Sequence, residues 1–107
     1  MDVRDEIIQF IFKFTGSEEV FLNGCCYWFA RILEERFLHH YELYIKYEPV
    51  EGHFVTWIHG RFYDVRGDVT EQYRGKPMYD LDELKRDDSK LYHRLMRDCR
   101  DFTSDSD

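Results

Sequence analysis

The stretch HFVTWIHGRFYDV, residues 53–65, decides the fold because it holds two short runs of strand-forming residues around a tight-turn dipeptide. His59-Gly60 separates the run HFVTWI from the run RFYDV, and a two-residue loop of this kind joins neighbouring antiparallel strands. The preceding run YELYIKYE, residues 41–48, alternates apolar and polar residues and adds a third strand. Since three strands suffice for a stable apolar face, the stretch predicts a small antiparallel sheet.

Amphipathic helices are predicted on both sides of this sheet in the sequence. Residues 3–14 form a first helix, in which apolar residues recur at helical spacing and Asp2 can cap the start. Residues 25–38 form a second helix with a broad apolar stripe. A third, C-terminal helix covers residues 81–99 and is capped by Asp80. The pattern therefore predicts an α+β fold with N- and C-terminal helices.

The length and composition of the chain fit one compact domain. With 107 residues, 43% of them hydrophobic, there is enough apolar material to close a single core without disulfide or metal staples. No repeat, low-complexity linker or change in composition marks a second domain. We therefore expect one domain over residues 1–102, followed by an acidic flexible tail over residues 103–107.

The formal net charge of −7 limits the classes of partner. It arises from 22 acidic and 15 basic residues, and it works against a nucleic-acid backbone or an anionic membrane surface as the partner. No apolar run approaches the roughly 20 residues that span a bilayer, and the start MDVRDEIIQF lacks the basic-then-apolar order of a signal peptide. We expect a cytoplasmic protein that acts on a protein or peptide, with no nucleic-acid or membrane partner.

The stretch NGCCYWFA, residues 23–30, places two of the three cysteines at the predicted start of the second helix. The first N–H groups of a helix lack intrahelical acceptors, and the helix end carries partial positive charge, so both favour a thiolate. A merely buried structural cysteine is the alternative. Because an odd number of cysteines, two of them adjacent, is a poor basis for a secreted disulfide framework, we expect free thiols.

Cys26, His53 and Asp64 supply the three groups of nucleophilic thiol catalysis: a thiolate, an imidazole that acts as base and then acid, and a group that orients the imidazole. If the hairpin loop has two residues, Asp64 lies opposite Val55, two residues beyond His53. The histidine and the aspartate then project from one face as a diagonal pair, whereas a three-residue loop would send them to opposite faces. Taken singly, the histidine can be a satisfied strand residue and the aspartate a strand-end acid.

Further residues are candidates for binding the substrate. The backbone N–H of Cys26 can receive the oxyanion of a tetrahedral intermediate, and Asn23 can either supply a second donor or serve only as a turn or N-cap residue. Tyr27 and Trp57 are candidates for the wall of a substrate pocket, with a core position favoured for Trp57. Since no C-x-x-C or H-x-x-x-H spacing occurs, we expect neither a metal site nor a cofactor.

The stretch GCCYWFA, residues 24–30, resembles the G-x-C-x-x-[FY]-A helix start of transglutaminase-like, papain-related cysteine enzymes. The stretch HFVTWIHGRFYDVRG, residues 53–67, is similar to the His-strand-turn-strand-Asp unit of the same superfamily. The resemblance implies a papain-like or transglutaminase-like core, in which the nucleophile helix packs on the antiparallel sheet. It also assigns the nucleophile to Cys26 and a variable position to Cys25.

The residues and the resemblance together favour a small, minimal cysteine enzyme. The expected activity is thiol-dependent hydrolysis or acyl transfer at a peptide, isopeptide or side-chain amide, through Cys26, His53 and Asp64 and an acyl-enzyme intermediate. The alternative is a non-catalytic protein-binding module on the same fold, such as an inhibitor or adaptor. The resemblance is also compatible with a bacterial or phage-encoded protein. It leaves open the substrate, the choice between hydrolysis and transfer, and the oligomeric state.

Overall fold

The computed structural model describes residues 2–14, 16 and 26–105, with side chains described up to residue 97. Within these residues the helices are α1 (Val3–Ile11), a 3₁₀ turn (Phe12–Phe14), α2 (Cys26–Phe37), α3 (Thr70–Tyr73), α4 (Leu81–Asp87) and α5 (Ser89–Asp105). The strands are β1 (Leu43–Glu48), β2 (His53–Ile58), β3 (Arg61–Asp64), β4 (Gly67–Asp68) and β5 (Tyr79–Asp80). None of the described helices combines the length and apolar character needed to cross a membrane.

The five strands form one antiparallel sheet in the order β4-β3-β2-β1-β5. The three predicted strands are its centre, and β1 and β2 pair along their whole length, from Leu43 opposite Ile58 to Glu48 opposite His53. The edge strands β4 and β5 have two residues each, too few to show an alternating pattern in the sequence. The structure confirms the α+β class and adds two short edges that offer little backbone for pairing with another chain.

His59 and Gly60 form the predicted two-residue turn between β2 and β3. Both residues have positive φ, 49° and 94°, as a type I′ turn requires. The cross-strand pairs follow the predicted register: Ile58 with Arg61, Trp57 with Phe62 and Thr56 with Tyr63. The turn therefore sets the parity that places His53 and Asp64 on the same face of the hairpin.

Helix α2 forms the layer that covers the sheet. Phe29 and Phe37 are 2% and 0% exposed, and burial of each ring contributes about 2–3 kcal/mol. They pack with apolar residues of α1 and of the central strands: Ile7, Ile11, Leu43, Ile58 and Tyr63. The start of α2 belongs to a second cluster with Phe54 and Leu84. The thiol end of the helix therefore lies beside the first residues of β2.

The C-terminal region differs from the single helix predicted over residues 81–99. It forms two helices, α4 and α5, because Asp88 leaves the helical conformation with φ −142° and ψ 70°. The Asp88 carboxylate accepts a hydrogen bond from the Leu91 N–H at 3.2 Å and so caps α5. The helical backbone of α5 continues to Asp105, into the segment 103–107, whose flexibility stays a prediction.

Asp2 and Asp80 occupy the predicted N-cap positions of α1 and α4, but neither carboxylate bonds to its own helix. Asp80 instead forms an ion pair with Lys46 of β1. The predicted capping hydrogen bonds are therefore absent at both helices. At α4 the reason is that the cross-strand lysine competes for the Asp80 carboxylate. The predicted helix over residues 3–14 is α-helical to Ile11 and continues as a 3₁₀ turn.

Candidate active site

His53 and Asp64 meet across the hairpin of β2 and β3. His53 Nε2 lies 3.0 Å from Asp64 Oδ2, which is the length of a good hydrogen bond. Both residues are buried, with 7% and 4% of their surface exposed. Because an ionised carboxylate only accepts hydrogen bonds, Nε2 carries a hydrogen, and Nδ1 is left for another partner.

Cys26 also interacts with the His53 imidazole, and it is the first residue of α2. The His53 imidazole and the backbones of Phe54 and Tyr27 all act on its thiol and lower the pKa of that group. Tyr27 contributes an N–H of the first helical turn, which has no intrahelical acceptor. The sulfur therefore lies where an imidazole, a helix N-terminus and a strand backbone all favour negative charge.

The surroundings of Cys26 and His53 shift the pKa values of the two side chains in opposite directions. Burial raises the pKa of the Cys26 thiol, but hydrogen bonds from His53 and the Phe54 backbone outweigh it and bring that pKa below its ordinary value. Burial lowers the pKa of His53, but hydrogen bonds to Asp64 and Cys26 raise it to about 9. Both shifts favour a thiolate and an imidazolium, the reactive form of a cysteine nucleophile.

Asp64 is also held by Arg66, in the turn between β3 and β4. The Arg66 backbone N–H donates to Oδ1 at 2.8 Å. The guanidinium donates from Nε to Oδ1 and Oδ2 at 3.2 and 3.0 Å, and from Nη2 to Oδ2 at 2.5 Å. Although burial raises the pKa of Asp64, the hydrogen bonds from His53 and Arg66 lower it below its ordinary value. Asp64 is thus ionised and fixed in orientation at neutral pH.

Tyr73, the last residue of α3, stacks on the His53 ring with centroids 6.1 Å apart and planes 23° apart. Its hydroxyl donates to Glu51 Oε2 at 2.9 Å and accepts from Arg66 Nη2 at 3.5 Å. Burial and the Glu51 hydrogen bond raise the pKa of Tyr73 to about 12. Tyr73 is therefore a neutral phenol that restrains one face of the imidazole.

Glu48 is a buried carboxylate at the turn that leads into His53. It lies opposite His53 in the sheet and is 1% exposed. Its oxygens accept hydrogen bonds from the backbone N–H groups of Val50 at 2.9 Å and Glu51 at 2.7 Å. Since a buried carboxylate without such partners is strongly unfavourable, these two bonds fix the shape of the turn.

The structure brings together the three residues proposed for catalysis, Cys26, His53 and Asp64; their catalytic role stays a prediction. Tyr27 packs edge-to-face on Phe54 with centroids 5.3 Å apart. It also lines a cavity of about 200 Å³ between α2, β1 and α4. Cys26, His53 and Asp64 do not line this cavity, so the role of Tyr27 in a substrate pocket stays a prediction.

Trp57 is not brought to the thiol. It shares a face of β2 with His53 but lies four residues farther along, about 13 Å away, and its ring contacts Tyr44 at 5.6 Å. Asn23 and Cys25 lie outside the residues that the structure describes. Within the described part of the chain, no group of three or more His, Cys, Asp or Glu side chains is placed to hold a metal ion.

Three residues around His53 and Asp64 were not among the predicted site residues: Arg66, Tyr73 and Glu48. An arginine in a turn and a tyrosine in a four-residue helix carry no periodic pattern, and a glutamate at a polar strand position gives no sign of burial. The one local indication is the D-x-R spacing, since an arginine two residues after a strand-end aspartate can fold back onto its carboxylate.

A family model described as Phage YunG-like protein matches residues 5–102. This range contains all three residues proposed for catalysis and every described strand. The description is compatible with the expected bacterial or phage origin, and it names no activity. No curated protein and no solved structure matches the chain.

Proposed function

We propose that this chain, which belongs to the Phage YunG-like protein family, is a thiol-dependent hydrolase or acyltransferase with a minimal papain-like or transglutaminase-like core. Its substrate is a peptide, isopeptide or side-chain amide. One observation carries the proposal: a single buried imidazole, His53, interacts with a thiol at a helix N-terminus and forms a hydrogen bond with an ionised carboxylate. This arrangement has the order and the roles of a nucleophile, base and orienting group.

In the acylation step, the Cys26 thiolate attacks the carbonyl carbon of the amide. A C–S bond forms, and the π electrons of the carbonyl move onto its oxygen. When this intermediate collapses, the C–N bond breaks and His53 delivers the proton on Nδ1 to the leaving nitrogen. The products are a free amine, a thioester on Cys26 and a neutral imidazole.

In the deacylation step, water or a second amine attacks the thioester carbonyl. His53 takes the proton of the attacking group, the C–S bond breaks, and the thiolate and imidazolium pair is restored. Throughout, Asp64 holds Nε2 and stabilises the imidazolium. The Cys26 backbone N–H, at the first helical position, is the proposed oxyanion donor. Tyr27 is the proposed pocket residue.

Alkylation of Cys26 tests the proposal without a known substrate. In full-length protein carrying Cys25→Ser and Cys99→Ser, iodoacetamide should modify Cys26 faster than it modifies a free model thiol at pH 6. Between pH 8 and pH 6 the Cys26 rate should fall less than about tenfold, whereas a thiol of pKa about 8.5 loses about a hundredfold through protonation.

Three variants of this protein serve as controls. Cys26→Ala should abolish labelling, and His53→Ala should give the rate and steep pH dependence of a free thiol, because the positive partner is gone. His93→Ala removes an exposed histidine from α5 and should change neither. A folded wild-type protein whose Cys26 reacts no faster than the model thiol contradicts the enzyme proposal and favours a non-catalytic binding module.

A further inference from the structure

Arg66 and His53 share one oxygen of Asp64. Arg66 Nη2 lies 2.5 Å from Oδ2, and His53 Nε2 lies 3.0 Å from the same atom. The two nitrogens are therefore no more than 5.5 Å apart, the combined length of the two bonds. Because a guanidinium stays protonated over the whole working range of pH, a permanent positive charge lies next to the imidazolium.

Arg66 also contacts two residues that touch the imidazole, Asp64 and Tyr73. Its Nη2 donates to the Tyr73 hydroxyl at 3.5 Å, and the Tyr73 ring stacks on His53. Asp64 connects the imidazole to Arg66 by a second route, with one hydrogen bond to His53 and four to Arg66. The imidazole is thus restrained at one edge and on one face by groups that both contact this guanidinium.

We propose that Arg66 is a positioning residue: its guanidinium fixes the Asp64 carboxylate against His53 and takes up part of its charge, so that the imidazolium can still release its proton to a leaving group. The inference rests on the function proposed above. An unshared carboxylate would bind the imidazolium proton more tightly, and a more weakly acidic imidazolium is a poorer general acid.

Other titratable and charged groups also surround His53. They come from every element packed around it: Cys26 of α2, Asp64 of β3, Glu48 of β1, Glu51 in the turn between β1 and β2, Tyr73 of α3, and Lys76, which bonds to Glu51. Substitution of Arg66 leaves all of these groups in the chain. A change in the titration of His53 in such a variant therefore reports the missing guanidinium.

The test is an NMR titration of the His53 imidazole in full-length Cys25→Ser, Cys99→Ser protein, with and without Arg66→Gln. Loss of the neighbouring positive charge should raise the His53 midpoint by about one pH unit. Arg66→Lys, which keeps the charge without the two-pronged geometry, should bring the midpoint most of the way back to the wild-type value. An unchanged or lowered midpoint in Arg66→Gln overturns the proposal.

Arg61→Gln is the matched control, because Arg61 pairs with the buried Asp68 and its side chain is 38% exposed, against 35% for Arg66. Both glutamine variants should lose a similar amount of thermal stability, but only Arg66→Gln should move the His53 midpoint. If wild-type Cys26 alkylates as a free thiol, the proposed function fails. If it alkylates as an ion pair while Arg66→Gln leaves the midpoint in place, only the positioning role fails.

Discussion

Two buried carboxylates lie at the ends of neighbouring strands, Asp64 on β3 and Asp68 on β4. Comparison of their partners distinguishes a candidate catalytic carboxylate from a structural one. Their side chains are 4% and 5% exposed. Each pairs with an arginine that is about a third exposed, Arg66 and Arg61. The two sites are therefore alike in the burial of the carboxylate side chain and in this arginine partner.

The remaining partners of the two carboxylates differ. Asp68 accepts hydrogen bonds from Arg4 Nε at 2.7 Å, and from the Thr70 N–H and hydroxyl at 3.0 and 2.6 Å. Although burial raises the pKa of Asp68, its hydrogen bonds to Arg61 and Thr70 hold that pKa far below the usual range. Asp68 thus ties α1 to the sheet edge, whereas Asp64 bonds to an imidazole that can gain and lose a proton. What makes Asp64 a candidate catalytic group is therefore its bond to the imidazole, and not its burial or its arginine partner.

The largest expected difference between the two sites is in thiol reactivity. Asp64→Asn removes the negative charge beside His53 and leaves Arg66 uncompensated, and both changes lower the pKa of His53 and raise that of Cys26. Alkylation of Cys26 at pH 6 should slow by about tenfold or more. Asp68→Asn should change the rate by less than about twofold, since Asp68 bonds to Arg61 and Thr70 and not to His53. Equal rates in the two variants would contradict the assignment of Asp64.

The second expected difference is in the direction of pH dependence. The pKa of His53 is raised to about 9, so its contribution to stability is complete below its unfolded value near 6.5 and is lost as the pH rises through 9. The pKa of Asp68 is lowered, so its contribution is present above its unfolded value near 3.9 and is lost as the pH falls further. The two sites should weaken at opposite ends of the pH scale.

Melting temperatures measured across pH check this expectation. The wild-type advantage over His53→Ala should shrink between pH 7 and pH 10, and the advantage over Asp68→Asn should shrink between pH 5 and pH 3. Each change should be a few degrees, because about 1 kcal/mol corresponds to about 4 °C for a domain of this size. A His53 contribution that grows with rising pH would show that the imidazole is neutral in the folded protein.

The smallest expected effect is that of Thr70→Val. The Thr70 hydroxyl donates to Asp68 Oδ1 and accepts from the Phe62 N–H at 3.0 Å, so its loss should cost about 1 kcal/mol of unfolding free energy. Denaturant unfolding measures this cost, and the alkylation rate of Cys26 should stay at the wild-type value. A slower alkylation would mean that the two carboxylate sites are coupled through the β3–β4 turn.

Much of the central fold was predictable because it depends on local chemistry. A dipeptide with positive φ at both positions joins β2 to β3, and the side-chain period of two then sets which residues share a face. His53 and Asp64 were therefore expected on one side of the hairpin, and the structure confirms a 3.0 Å contact between them. The helical period likewise identified α1 and α2.

Other features were not predictable because they depend on contacts between distant segments. The break at Asp88 interrupts a continuous amphipathic pattern, and β5 exists only because its two residues pair with Tyr47 and Lys46 of β1. Glu48 looks like an ordinary polar strand position until the backbone of the following turn folds over it. No local period records any of these contacts.

The sequence by itself determined the hairpin register, the helical stripes and the candidate trio of side chains, because turn chemistry and periodicity act between neighbouring residues. Only the tertiary structure decided that the Cys26 sulfur meets the His53 imidazole, since this depends on how α2 packs over the first residues of β2. It also decided the pKa shifts of that pair and the hydrogen bonds from Arg66 to Asp64. Burial and the distances between charges arise only when separate elements come together.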